Sequence, residues 1–203
     1  MCNAYNIHPK TGAKDLDALV TEKILRLPSR LVRRSAAGVA VIRTDDGLEP
    51  AIMRWGFPHP KWKIVNNARS ESLSRGMWVE PLERHRCLVP MSSFYEWQEL
   101  PGGGKQPHEL RHPDADWLWV AGLYQPTEEH GPCFATITTE PTPAVARVHD
   151  RLLAIVDFEE GMAFLRGEKS TFSPYPGPLL IEPCKSPLKS RKPKPDDPQG
   201  SLF

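Results

Sequence analysis

The sequence predicts one loop-rich, strand-rich domain rather than a helical bundle, and three observations carry that prediction. Its 203 residues are enough for a single domain with a substantial core. Its 22 prolines and 14 glycines are many for a helical protein. Short apolar runs bounded by Gly, Pro and Asp turn signals outnumber stretches of helical period. The balance of 39% hydrophobic and 25% charged residues is ordinary for a soluble globular chain. A formal net charge of +1 excludes a globally basic nucleic-acid binder and leaves open a local basic groove. Cys2, Cys87, Cys133 and Cys184 are far apart with no C-x-x-C pair, which argues against a disulfide framework and a cysteine zinc site. There is no long apolar run and no signal-peptide pattern. A cytoplasmic protein with reduced thiols, no membrane contact and, by default, a monomeric state is expected.

Taken in order, residues 13–25 set Leu16, Leu19, Val20 and Ile24 at helical spacing and end before Pro28, predicting an amphipathic surface helix. Ala36 to Thr44 is an apolar strand, Asp45-Asp46-Gly47 a turn, and Glu49 to Trp55 the returning strand of a hairpin. Arg54 to Lys63 then interleaves basic and aromatic residues in a stretch too rich in Pro and Gly for a regular element. It fits a loop pinned by its tryptophans as well as a platform for stacking unpaired bases. Asn66 to Ser72 reads as a short helix opened by an asparagine cap.

Cys87-Leu88-Val89 is a strand that breaks at Pro90, turns at Ser92-Ser93 and resumes as Phe94-Tyr95-Glu96-Trp97. A carboxylate set among three aromatics is costly to bury unless paired or protonated. A raised pKa, suited to a general acid/base, is one reading of Glu96; an outward-facing residue on a half-exposed strand is the other. Pro101 to Gly104 is a hairpin tip. His108-Glu109-Leu110-Arg111-His112 matches the H-E-x-x-H zinc-protease signature, but Pro107 and Pro113 leave room only for a short strand, without the helical geometry the motif needs. Residues 117–124 and 133–139 are central strands, 143–149 a connector, 152–156 another strand and 159–165 a short helix. Asp150 and Arg151 could pair with each other. From 185 the composition becomes basic and proline-rich, predicting a disordered tail over 185–203 after a domain over 1–184.

Cys2 stands apart. Small side chains at position 2 generally permit removal of the initiator methionine, and Cys2 would then carry an α-amine and a thiol on adjacent carbons. Unperturbed, these titrate near pH ~8 and ~8.5, so a modest downward shift would make both nucleophilic at neutral pH. Such an aminothiol condenses with an aldehyde to an imine, which the thiol closes to a thiazolidine. The first five residues are equally consistent with an unimportant cysteine at a frayed terminus.

The ordered set Met1-Cys2, Arg54-Trp55-Gly56, Asn67-Ala68-Arg69-Ser70-Glu71, Arg86-Cys87-Leu88-Val89-Pro90, Phe94-Tyr95-Glu96-Trp97, Ala121-Gly122-Leu123 and His149-Asp150-Arg151 resembles the SRAP (SOS response-associated peptidase) domain. The resemblance runs to about residue 182. It implies a single α+β domain on a curved, barrel-like antiparallel β-sheet flanked by short helices, with a positively charged groove for single-stranded DNA and no cofactor. It also implies covalent capture of abasic sites through Cys2 after Met1 is lost, in a DNA damage response associated with the nucleoid. Carried over by position, Asn67 would hold the α-amine or sugar, Glu96 would shuttle protons, and His149 would help the closed sugar open. Arg69, with Arg54 and Arg75, would grip phosphates; Trp55 and Trp97 would stack on or wedge against bases; Thr138 would contact the DNA backbone. The chain departs from the family pattern at Asn3-Ala4, where Gly-Arg is usual, and at Leu152-Leu153, where Met-Pro is usual. The ending Gln199-Gly200-Ser201-Leu202-Phe203 resembles the peptide by which proteins dock on the bacterial sliding clamp, making Gln199, Leu202 and Phe203 candidate clamp contacts. The other readings are a thiol autopeptidase or hydrolase acting through Cys2, and a non-covalent reader of modified bases.

Overall fold

The computed structural model describes residues 2–127 and 131–188, so the candidate clamp residues Gln199, Leu202 and Phe203 lie outside the described residues. In chain order the described elements are β1 (Ala4–Asn6), α1 (Asp15–Leu25), β2 (Leu31–Arg33), β3 (Ala37–Thr44), β4 (Gly47–Trp55), β5 (Phe57–His59), β6 (Lys63–Val65) and β7 (Asn67–Arg69). Then follow α2 (Val79–Arg84), β8 (Arg86–Met91), β9 (Ser93–Glu99), β10 (Lys105–Arg111), β11 (Leu118–Gln125) and β12 (Cys133–Thr139). The series closes with β13 (Leu152–Leu153), β14 (Ile155–Val156), α3 (Phe158–Arg166) and β15 (Leu180–Pro183).

The chain is α+β, and its strands form two main sheets. In the larger, β12, β4, β3, β8 and β11 follow one another, and β11 pairs back onto β12, so the strands form a ring. Most pairings are antiparallel; β12 runs parallel to both β4 and β7. The smaller sheet has the order β15-β10-β9-β1-β2. Alternation along its strands turns Tyr5, Val32, Phe94 and Leu110 inward, where they join Trp55, Leu88, Met91 and Phe134 in one core.

The β3–β4 hairpin forms as the turn signal predicts. Helix α1 buries Val20 and Ile24 but leaves Leu19 exposed, so its apolar stripe is narrower than the spacing suggested. Helix α3 starts where the Asp157 side chain accepts the Glu160 N–H and ends at left-handed Gly167, a matched pair of caps. The stretch from Arg54 to Lys63, expected to be irregular, ends β4 and supplies most of the β5–β6 hairpin. Gly56 makes it possible: its φ is +122°, and a Cβ there would lie 2.3 Å from Ile64 Cγ2. Pro90, expected to break a strand, sits inside β8 opposite Trp119. The expected single strand over 152–156 is two short strands, because β13 pairs with β12 and β14 with β11.

Residues 184–188 remain against the smaller sheet, past the boundary expected at 184. The Cys184 N–H donates to Pro107 O at 2.9 Å, Gln106 Nε2 to Cys184 O at 3.1 Å, and Arg33 Nη2 to Pro187 O at 3.2 Å. Among the described residues no helix is long and apolar enough to cross a membrane.

Candidate active site

Cys2 leads into β1 and is buried. Its carbonyl accepts hydrogen bonds from Asn66 Nδ2 at 3.0 Å and Asn67 Nδ2 at 2.9 Å. The parallel pairing of β7 with β12 places Asn67 opposite Thr136. Thr136 Oγ1 donates to Asn67 Oδ1 at 2.7 Å, which turns the amide nitrogen of Asn67 toward Cys2. The Asn66 carbonyl accepts Trp55 Nε1–H at 3.1 Å and the Thr136 N–H at 3.0 Å. The two asparagines therefore do not cap a helix. Their backbone is used by β12, and only Ser70–Ser72 coils, as one 3-10 turn without a side-chain cap.

Glu96, on β9, is 2% exposed. Burial pushes its carboxyl up to about 7, and the charge of Asp150 adds to the rise. The amino-terminal charge and a hydrogen bond from the Cys2 backbone N–H oppose it. His149 Nε2 stands 3.6 Å from Glu96 Oε2. On the other side of the ring, Nδ1 receives the Arg151 N–H at 3.0 Å and lies 3.0 Å from Asp150 Oδ1. The Asp150 side chain is 81% exposed and free to move, whereas the backbone donor is fixed. We therefore assign Nδ1 as the acceptor and the proton of the neutral ring to Nε2, facing Glu96. Burial holds His149 below its ordinary value, so the ring is neutral at pH 7.

The Cys2 thiol departs from expectation in the opposite direction. Burial, reinforced by the charge of Glu96, pushes it well above its ordinary range. Its Sγ–H donates to Ala4 O at 3.2 Å. The resting group is a thiol, not a thiolate, because the backbone contacts at Ala4 and Tyr95 and the amino-terminal charge only partly offset the loss of water.

Arg151 does not pair with Asp150. It makes a two-pronged bridge to Glu71, at 3.1 and 2.9 Å, and its Nη2 also donates to Thr138 O at 2.8 Å. Partial burial would raise the Glu71 carboxyl; its own backbone amide and the Arg151 guanidinium outweigh this and hold it below the ordinary range. The bridge ties the turn after β7, which carries Asn67, to the loop that carries His149.

A cavity of about 270 Å³ opens between Asn3, Glu96, Trp97, Lys105, His149 and Leu188. At Asn3 it meets a groove of about 650 Å³ lined by Arg34, Trp62, Ile64, Val65, Asn67 and Arg69. On its other side, sharing Trp97, Lys105 and His149, lies a third hollow of about 500 Å³ that adds Arg147. Trp62, at the tip of the β5–β6 hairpin, is 59% exposed, and its ring stacks on His59 with centroids 4.3 Å apart. Lys61 Nζ sits 5.5 Å over the same ring.

The fold thus brings together Cys2, Asn67, Glu96 and His149, and it places Arg69 and Trp97 on the walls beside them. Arg54 and Arg75 line none of these three hollows. Trp55 and Thr138 require correction. Trp55 is fully buried, edge-on to Tyr5 and stacked on Phe134, so it fills the core and cannot receive a base. Thr138 is buried too, with its hydroxyl donating to Ala68 O. The H-E-x-x-H stretch lies on β10 as a strand, with His108 opposite Glu96, and among the described residues no cluster of three His, Cys, Asp or Glu side chains is placed to hold a metal. Arg34, Asn66, Lys105 and Thr136 were not anticipated as site residues. The basic-aromatic run containing Trp62, together with Asn67 and Arg69 from the resemblance, points to the groove.

The family model for the SOS response associated peptidase (SRAP) matches residues 1–191. The abasic site processing protein YoqW of Bacillus subtilis is 31% identical over 165 residues, 75% of this chain and 73% of that protein. The abasic site processing protein HMCES of Gallus gallus is 32% identical over 145 residues, 54% of this chain and 43% of the longer relative. Among solved structures, a protein from Bacteroides thetaiotaomicron superposes with a TM-score of 0.72 at 20% identity, covering 91% of this chain and 92% of its own. That last likeness concerns the fold.

Proposed function

This chain belongs to the SOS response associated peptidase family, and on that premise we propose that it captures abasic sites in single-stranded DNA covalently, through the amine and thiol of Cys2 once Met1 has been removed. The relatives named as abasic site processing proteins support abasic DNA as the substrate. The observation that carries the chemistry is the placement of Cys2: its backbone is clamped by Asn66 and Asn67 and its nitrogen faces Glu96, with His149 3.6 Å behind that carboxyl.

The protonation states dictate an order of events. The thiol is held protonated, so the amine attacks first. It adds to the aldehyde carbon of the open abasic sugar and gives a carbinolamine. Protonated Glu96 delivers its proton to the carbinolamine hydroxyl, which leaves as water as the C=N bond forms. The Glu96 carboxylate, with His149 behind it, then takes the Sγ proton. The C=N nitrogen still carries its proton as an iminium, so sulfur adds to the iminium carbon and the π electrons return to nitrogen, closing a neutral five-membered thiazolidine. Asn66 and Asn67 fix the geometry throughout, which raises the effective concentration of both nucleophiles at one carbon. Arg34 and Arg69 hold the phosphates of the strand, and Trp62 offers a face to a base.

The test is a denaturing gel of protein with single-stranded DNA carrying one abasic site, beside intact DNA and a Cys2→Ala variant. A slow band that survives denaturant, needs the abasic site and disappears with Cys2 is the expected result. No band from protein whose amino terminus is verified as Cys2 would overturn the reading. Undiminished, denaturant-sensitive binding by Cys2→Ala would then favour a base reader, and repeated turnover of an ester or peptide a thiol hydrolase.

A further inference from the structure

From Cys184 to Leu188 the chain leaves the β15 edge of the smaller sheet and reaches the opposite edge, where Arg33 of β2 holds the Pro187 carbonyl. It is fastened at its start by the Cys184–Pro107 and Gln106–Cys184 hydrogen bonds. At its end the Ser186 hydroxyl and the Leu188 backbone bond each other in both directions, at 3.0 and 3.3 Å, which fixes the turn that presents Leu188. Leu188 is half-buried and is the one aliphatic side chain among the residues lining the cavity around Glu96 and His149. The other wall residues are polar, charged or, in Trp97, aromatic.

We infer that residues 184–188 form a strap that completes the catalytic cavity, and that Leu188 is a positioning residue which keeps water away from Glu96. The inference rests on the reading of Glu96 as the acid/base of the proposed reaction. Without the strap the cavity would be open along the face between Asn3, Trp97 and Lys105, and the carboxyl of Glu96 would regain solvent there. The charged and titratable groups that face Glu96 are His149 and Asp150 from the loop before β13, the amino-terminal charge, the Cys2 thiol, and His108 and Lys105 from β10. Removing Leu188 changes none of them, so any shift it causes reports solvation alone. Water favours the ionised carboxylate, and the sign is therefore downward. A strap that served only to pin the chain end would alter stability and leave the Glu96 midpoint where it is.

The experiment is carboxyl-carbon NMR titration of Glu96 in the full chain, comparing wild type with Leu188→Ser, and with Arg33→Ala, which loosens the strap without touching the cavity. The expected result is a fall of the Glu96 midpoint by about half a pH unit or more in Leu188→Ser. Arg33→Ala should give a smaller fall in the same direction. The pH profile of cross-linking should move toward acid by the same interval. An unchanged midpoint in Leu188→Ser overturns the inference, as does an upward shift. Because the titration needs no DNA, it decides the role of the strap even if wild-type protein fails to cross-link, an outcome that would sink the functional proposal instead.

Discussion

His149 Nε2 and Glu96 Oε2 stand 3.6 Å apart in a site where burial raises the acid and lowers the base, so that near neutral pH the ring is neutral and the carboxyl is the group that titrates. Their ordinary values differ by about two units, and burial moves the carboxyl up and the imidazole down, the directions that narrow this difference and favour passing a proton through the carboxyl.

The rate of capture should therefore inflect near pH 7, the value to which Glu96 is pushed. Glu96→Gln should lose that inflection and slow capture by about 10²-fold or more, as expected for removal of a general acid/base. Quenched time courses between about pH 5 and 9 measure both. Stability gives a second readout. The folded-state value lies above the unfolded one, so the folded chain binds this proton more tightly, and Glu96 makes stability fall as pH rises from the ordinary carboxylate value to about 7. Urea midpoints of Glu96→Gln should lack that decline.

Thr136→Val should behave as a site mutation although Thr136 touches no reacting atom. It removes the hydroxyl that orients Asn67 and leaves Asn67 Oδ1 without its donor, at a cost of about 1–2 kcal/mol. Capture should slow about tenfold, with a further loss in Asn67→Ala. Equal rates for Thr136→Val and wild type would show that Asn66 alone positions Cys2.

The two tryptophans at the ends of the 55–62 segment should separate cleanly. Trp55→Ala empties the core and should cost about 3–5 kcal/mol in urea unfolding. Trp62→Ala should leave stability within about 0.5 kcal/mol and weaken binding of single-stranded DNA by about 1–3 kcal/mol. Arg34→Ala and Arg69→Ala should each lower the slope of log affinity against log salt by about 0.7, since each phosphate contact releases its share of counterions. Trp62→Ala should not change the slope.

Arg151→Met should destabilise by about 1–3 kcal/mol at neutral pH through the lost bonds to Glu71 and Thr138 O. The Glu71 value is depressed in the folded chain, so its contribution is present above the unfolded value and disappears as pH falls through the folded one. The gap between wild type and variant should narrow in that acid range to the part owed to the Thr138 carbonyl, a comparison that urea curves at several pH values settle.

Local chemistry was legible in the sequence and distant pairing was not. Helices α1 and α3 and the β3–β4 hairpin follow from period and turn residues, all within about twenty positions. Glu96 could be singled out because a carboxylate among aromatics is energetically conspicuous on any strand. Local rules read an asparagine before Ser-Glu-Ser as a cap, and only the family resemblance drew Asn67 toward Cys2, because its partner Thr136 lies some seventy positions away on a parallel strand. Trp55 and Trp62 share the same basic and aromatic neighbours, yet one faces inward from β4 and the other tops a hairpin. Which way a side chain points depends on where its strand sits, and adjacency in sequence does not carry that.

The parallel pairing of β7 with β12 also bears on how the reactive centre comes into being. Residues 2, 67, 96, 136 and 149 must all be in place before Cys2 has its clamp and its acid. Most joints between them span long loops whose closure entropy is met only when the ring and the smaller sheet are both formed. A nascent or damaged chain thus carries the nucleophile without the machinery to use it. On the proposed mechanism native topology acts as a safety catch, and assisted capture of an aldehyde is confined to a molecule that has finished folding.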